Sequence, residues 1–156
     1  MIEGSSTFKN HGLSIINCQN VVLYNLRIFN TTLDGILISN SSNIVLHHIT
    51  VLDSSRIDID RGKDIDVTQN SSKITISYSI IGYIDPPPLE KYKGMLIANF
   101  SHDRVTNMSV HHCLFYQNYQ RSPQISTPGL FDLKNNIVFD FQEYGTRVRN
   151  NAYGNF

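Results

Sequence analysis

Apolar residues recur along this chain in short runs with a period of two, and one such run returns five times. VVLYNLRI from Val21, IVLHHITV from Ile44, ITISYSII from Ile74, MSVHHCLF from Met108 and FDLKNNIV from Phe131 superimpose without gaps. Their first and third positions are always apolar: Val21 and Leu23, Ile44 and Leu46, Ile74 and Ile76, Met108 and Val110, Phe131 and Leu133. Alternation of this kind puts one face of a strand in a core and the other in water, which a helical period would not do. The runs start 23, 30, 34 and 23 residues apart, so the shortest spacing is the basic unit and the longer gaps carry insertions. Insertions confined to one part of a repeat commonly line its binding face.

A second strand precedes each of the first four repeats that follow a turn: GLSII from Gly12, GILIS from Gly35, RIDID from Arg56 and GMLIA from Gly94. Short turns such as CQN and NSS separate the two. No amphipathic segment long enough for the crossover helix of a βαβ unit lies between them. Stacked coils satisfy the pattern instead, with like strands parallel at about 4.8 Å and each apolar position continued as a column through the core. The expected fold is all-β, a parallel β-helix of about five to six coils forming a single domain over residues 1–156, with no cap at either end. Uncapped coil ends are open sheet edges and favour association. A β-sandwich is the competing architecture, but its strands have no reason to repeat one order of residues.

Composition narrows the partners. The chain has 156 residues, 40% of them apolar, enough for one ordinary core. Its 13 basic and 13 acidic side chains are scattered and cancel, so neither nucleic acid nor an anionic membrane is an expected partner. No apolar stretch approaches the roughly 20 residues that cross a bilayer, and polar residues follow Met1 where a signal peptide would be apolar. Cys18 and Cys113 lack metal-site spacing and are expected to be buried free thiols. Asn-x-Ser/Thr sequons begin at Asn30, Asn40, Asn70, Asn99 and Asn107. They read as turn chemistry, for which Asn is favoured.

Stacking makes residues at equivalent positions neighbours in space. Asp34 and Arg121 each stand ten residues before an apolar repeat, at Ile44 and Phe131, and Lys93 precedes Gly94 as Asp34 precedes Gly35. Asp58 takes the third position of RIDID, the position of Leu37 and Leu96 in their strands. One column then holds Asp34, Asp58, Lys93 and Arg121 over about 14 Å, the length of a short stretch of anionic sugar polymer. Each residue has a plainer explanation: a turn pair for Asp34, a solvated charge for Lys93 or its neighbour Lys91, a pairing of Asp58 with Arg56 or Arg61, a loop role for Arg121. The shared column is what favours a site. His47-His48 and His111-His112 raise a metal centre as an alternative. Adjacent strand residues face opposite sides and Ser77-Tyr78 lies between the pairs, so a stacked ladder is the expectation.

The strings NVVLYNLRI, DGILISNSSNIVLHH, RIDIDRG, KITISYSIIG, KGMLI, MSVHHCLF and QRSP followed by NNIVF, in that order over roughly residues 12–151, resemble the pectate lyases. These are right-handed parallel β-helix enzymes that cleave polygalacturonate, and the resemblance implies a secreted, calcium-dependent polysaccharide lyase acting by β-elimination. Calcium would bridge protein acids and the substrate carboxylate, since a hard cation takes oxygens from both. By that resemblance Asp34 and Asp58 match calcium ligands, Lys93 a substrate-binding lysine, and Arg121 both a substrate contact and the base that removes the C5 proton. Thr32 and Ser54 stand where acids are expected, His47 replaces an aspartate, and Ser126 stands where a second arginine is common, with Arg147 or Arg149 available to replace it. Compared with that family, the chain reads as a fragment or reduced member. A non-catalytic carbohydrate-binding β-helix is the alternative function. Galacturonan hydrolysis ranks below both, because it needs a set of neighbouring aspartates and no Asp-Asp pair exists.

Overall fold

The computed structural model describes residues 1–3, 10–54, 62–84, 92–98 and 102–156. Its strands form three sheets of six, every pair parallel. The first sheet contains Leu13–Ile16, Ile36–Ser39, Ile65–Thr68, Met95–Ile97, Gln124–Ile125 and Arg147–Val148. The second contains Gln19–Tyr24, Ser42–His47, Ser72–Ser77, Thr106–His111, Gly129–Lys134 and Ala152–Asn155. The third contains Ile2–Glu3, Arg27–Phe29, Thr50–Leu52, Ile80–Gly82, Leu114–Tyr116 and Ile137–Phe139. Each coil runs through the sheets in that order, as a parallel β-helix requires. Among the described residues no helix is long and apolar enough to cross a membrane.

The repeat read from the sequence is the register of the second sheet. Val21 pairs Ile44, Ile44 pairs Ile74, Ile74 pairs Met108 and Met108 pairs Phe131. Ile44, Leu46, Ile74, Ile76, Met108, Val110, Phe131 and Leu133 point inward and are buried with Ile36, Ile38, Ile65, Val67, Met95, Ile97 and Ile125 of the first sheet. Full burial of each such side chain stabilises the fold by about 1.5–3 kcal/mol, so the columns are the main source of cohesion.

Two expectations are corrected. The apolar octets are not single strands: each turns a corner between the second and third sheets, at Asn25, His48, Tyr78, His112 and Asn135, all with φ between 50° and 58°. Asn reaches this left-handed region at low cost, but His and Tyr carry no such signal in the sequence. Four sequon asparagines, Asn30, Asn40, Asn70 and Asn107, also have positive φ, which is the backbone reason for their abundance. Asn99 lies outside the described residues.

The other correction concerns RIDID. The strand that pairs with Ile36–Ser39 and Met95–Ile97 is Ile65–Thr68, with Asp66 opposite Leu37 and Leu96. Asp58 therefore does not hold that position, and it lies outside the described residues. Both stretches alternate Ile/Val with polar residues, but only the later one places Ile65 and Val67, each fully buried, in the core columns.

Cys113 is buried and Cys18 only half-buried, and both are free. Burial pushes the Cys113 thiol up to about 11. The histidines do form a ladder, with Tyr24 stacked on His47 (5.5 Å), and Tyr78 stacked between His48 (5.6 Å) and His112 (4.7 Å). Both members of each His pair stay near the surface, because His48 and His112 are corner residues instead of strand residues.

Candidate functional site

The outer face of the first sheet carries the chemistry. Along it Ser14, Leu37, Asp66, Leu96, Gln124 and Arg147 form one column. The turn entering the sheet supplies a second. Gly12 N donates to Asp34 O, Gly35 N to Lys63 O, Asp64 N to Lys93 O and Gly94 N to Gln120 O, which aligns Asp34, Lys63, Lys93 and Gln120 on successive coils. The structure thus brings Asp34 and Lys93 into one column and inserts Lys63 between them. Position 64 is glycine on the neighbouring coils. A Cβ at Gly35 would lie 2.2 Å from Val51 Cγ1 and 2.7 Å from Asp64 O, so the corner there has no room for a side chain.

Arg121 sits one place off the column. Lys93 pairs Gln120 and Leu96 pairs Gln124, so three steps on one coil face four on the next, and Ser122 and Pro123 share the place opposite Met95. Arg121 opens this bulge with φ of 68°, and its carbonyl accepts from Met95 N at 2.6 Å. Bulges re-aim side chains and gather at active sites, and left-handed φ at a non-glycine residue costs roughly 1–3 kcal/mol. Arg121 Nε is buried with no hydrogen-bond partner.

Two ends of this face differ. At one, Asp34 and Asp66 flank Lys63. Lys63 N donates to Asp34 Oδ1 at 2.7 Å, and Lys63 Nζ lies 2.8 Å from Asp66 Oδ2 and 3.9 Å from Asp34 Oδ1. His11 Nδ1 is 3.1 Å from Asp34 Oδ2. Burial raises the Asp66 carboxyl above its ordinary range, against the pull of Lys63 and Arg121. Asp64 is raised further by complete burial, although Ser54 hydrogen bonds oppose the shift. Ser54 and Thr32, where the resemblance called for acids, are both buried.

At the other end a cleft of about 400 Å³ is lined by Arg121, Arg147, Arg149, Gln120, Gln124 and Tyr144, among others, with no carboxylate among the described residues that line it. Ser126 stands beside Arg149 on the next coil, since Ile125 pairs Val148. The Tyr144 hydroxyl lies 2.6 Å from Gln120 Oε1 and 2.5 Å from Gln124 Oε1. A phenol has one proton, so the Tyr144 hydroxyl donates to one of these amide oxygens at a time, while Gln124 Nε2 donates to Ser126 Oγ. The Arg147 guanidinium lies 5.0 Å from the Tyr144 ring centroid, a cation–π contact.

The residues described do not fit calcium. That ion takes six to eight oxygens, whereas both Asp34 oxygens and one Asp66 oxygen already face nitrogen. Among the described residues no group of three or more His, Cys, Asp or Glu side chains is arranged to hold a metal.

Fold and groove together define a parallel β-helix with a cationic cleft on the outside of one sheet. The chain belongs to the family described as right handed beta helix region, which matches residues 1–156 and includes polysaccharide-degrading enzymes. No curated protein matches it.

Proposed function

We propose that the groove on the first sheet binds an acidic polysaccharide of the polygalacturonate class and cleaves it by β-elimination. The observation that carries this reading is the cleft holding Arg121, Arg147 and Arg149, with no carboxylate among the described residues that line it. Planar guanidinium groups match carboxylates in pairs of hydrogen bonds, and repeats along the solenoid axis match a polymer better than a single small acid. Neutral sugars would leave these charges unanswered.

In this mechanism Arg121 takes the C5 proton, the C5–H electron pair becomes the double bond between C4 and C5, and the C4–O bond breaks with its electrons on the leaving glycosidic oxygen, which takes a proton from water. Guanidinium is a poor base because it holds its proton strongly. Arg121 shares its cleft with Arg147 and Arg149, and Lys93 stands on the preceding coil. The same cations neutralise the substrate carboxylate and so stabilise the carbanion beside it. Lys93 binds substrate from the preceding coil. Such a polymer lies outside cells, and the proposal places the protein there.

A second reading is specifically favoured by the engagement of Asp34 and Asp66 with Lys63: a β-helix that binds the polymer without cleaving it. Ultraviolet absorbance of unsaturated product from polygalacturonate separates the two. The lyase reading expects product that disappears in Arg121→Ala. Binding with no product from the folded chain, unchanged in that variant, would establish the second reading instead.

A further inference from the structure

The acidic end of the groove holds its own cation. Lys63 is almost fully buried, and its ammonium lies 2.8 Å from the Asp66 carboxylate and 3.9 Å from that of Asp34, two groups from adjacent coils. The backbone nitrogen of the same residue holds the Asp34 carboxylate from a second direction. Of the oxygens of these two carboxylates, Asp66 Oδ1 is buried without a hydrogen-bond partner among the described residues. A divalent ion entering here would gain that oxygen and meet an ammonium a few ångströms away, at a depth where like charges repel strongly. A fixed ammonium has the opposite property: it is present at every calcium concentration and already satisfies the two acids.

We propose that the Lys63 ammonium is a built-in cation that stands where a divalent ion would bridge Asp34 and Asp66, so that saccharide binding in this groove needs no calcium. The second half of this statement rests on the reading of the groove as an acidic-saccharide site. The first half does not. Substrate carboxylates are then met by side-chain cations alone, with Lys63 holding the two acids out of competition with Lys93, Arg121 and Arg147.

The proposal predicts that one substitution would convert the site. In Lys63→Asp a third carboxylate joins Asp34 and Asp66, and calcium should bind with a dissociation constant of about 10⁻⁴ M, typical of extracellular calcium modules. Titration calorimetry and thermal melts of the full chain, with calcium alone as the probe, read this directly. The wild type should show neither heat of binding nor a rise in Tm at millimolar calcium. Lys63→Asp should show both, and Lys63→Met, which removes the charge without adding an oxygen, should show neither. Where Lys63→Asp unfolds without metal, recovery of the folded melt on adding calcium is the equivalent positive result. Saturable calcium binding by the wild type that is lost in Asp34→Asn or Asp66→Asn would overturn the proposal without recourse to any position-63 variant. Calcium affinity in Lys63→Asp no better than in Lys63→Met would overturn it as well. Polygalacturonate affinity of the wild type should be equal in calcium and in chelator, and affinity that vanishes in chelator contradicts the proposal. If no polygalacturonate binds while the calcium pattern is as predicted, the saccharide reading fails and the built-in cation stands.

Discussion

The outer face of the first sheet has an acid–lysine end and an arginine end, built by different coils of the same repeat with the coil of Lys93 between them. At the first, charges of both signs are buried and touch: Lys63 against Asp66 and Asp34. At the second, Arg147 and Arg149 are exposed, Arg121 is half-buried, and none of the described lining residues is an acid. Burial makes the difference. A buried charge must be met inside the protein, so the acid–lysine end is committed to holding the turns together, whereas one-signed exposed charge is free to meet a ligand. Substitutions at the first end should therefore act on stability and those at the second on binding and turnover.

The largest effect expected is on turnover. Arg121→Ala should lower kcat on polygalacturonate by about 10²–10⁴-fold, the usual contribution of a general base. Arg121→Gly sharpens the point. Glycine accepts the 68° φ without strain, so this variant should lose the same activity while its Tm holds or rises. Equal loss of activity and Tm would instead make Arg121 structural.

At the other end Lys63→Met should destabilise the fold by about 3–5 kcal/mol, the usual result of leaving one side of a buried ion pair unanswered, with denaturant melts as the readout. A change within experimental error there would erase the contrast between the two ends.

A smaller effect concerns pH. The buried Asp64 and Asp66 carboxyls are both raised above the ordinary value. Because the folded state holds these protons more tightly than the unfolded chain, the stability they contribute is complete below the unfolded pKa near 3.8 and is lost as pH rises through their folded values. Thermal melts from acid to neutral pH should therefore show a decline that is flatter in Asp64→Asn. A decline of the same slope in that variant would assign it to other groups.

The mildest change expected is Arg149→Ala, which should raise KM several-fold and leave kcat alone, as the loss of uniform binding does. A fall in kcat with unchanged KM would move Arg149 into the chemistry.

Much of this was legible in the sequence, and the failures have physical causes. Val21, Ile44, Ile74, Met108 and Phe131 mark the register because a one-residue slip would turn every inward side chain outward. Asp34, Lys93 and the neighbourhood of Arg121 followed from that register. The corners did not, because His48, Tyr78 and His112 take left-handed φ with no glycine to announce it. Lys63 was missed because the signal that marks its column, a residue just before glycine as in Asp34-Gly35 and Lys93-Gly94, is hidden by Asp64. Ile57 and Ile65 begin equally good alternating runs, and only pairing with Ile36 and Met95 decides between them. The bulge at Ser122 and Pro123 shifts Arg121 by one place that counting back from Phe131 cannot reveal.

The central claim is that the arginine end holds an acidic saccharide. Titration calorimetry of the full chain with oligogalacturonate and with neutral galacto-oligosaccharide of equal length tests it most directly. The account predicts saturable binding of the acidic oligomer alone, weakened by salt and by Arg147→Ala. Equal affinity for the neutral oligomer, or acidic binding indifferent to Arg147→Ala and to salt, would contradict it.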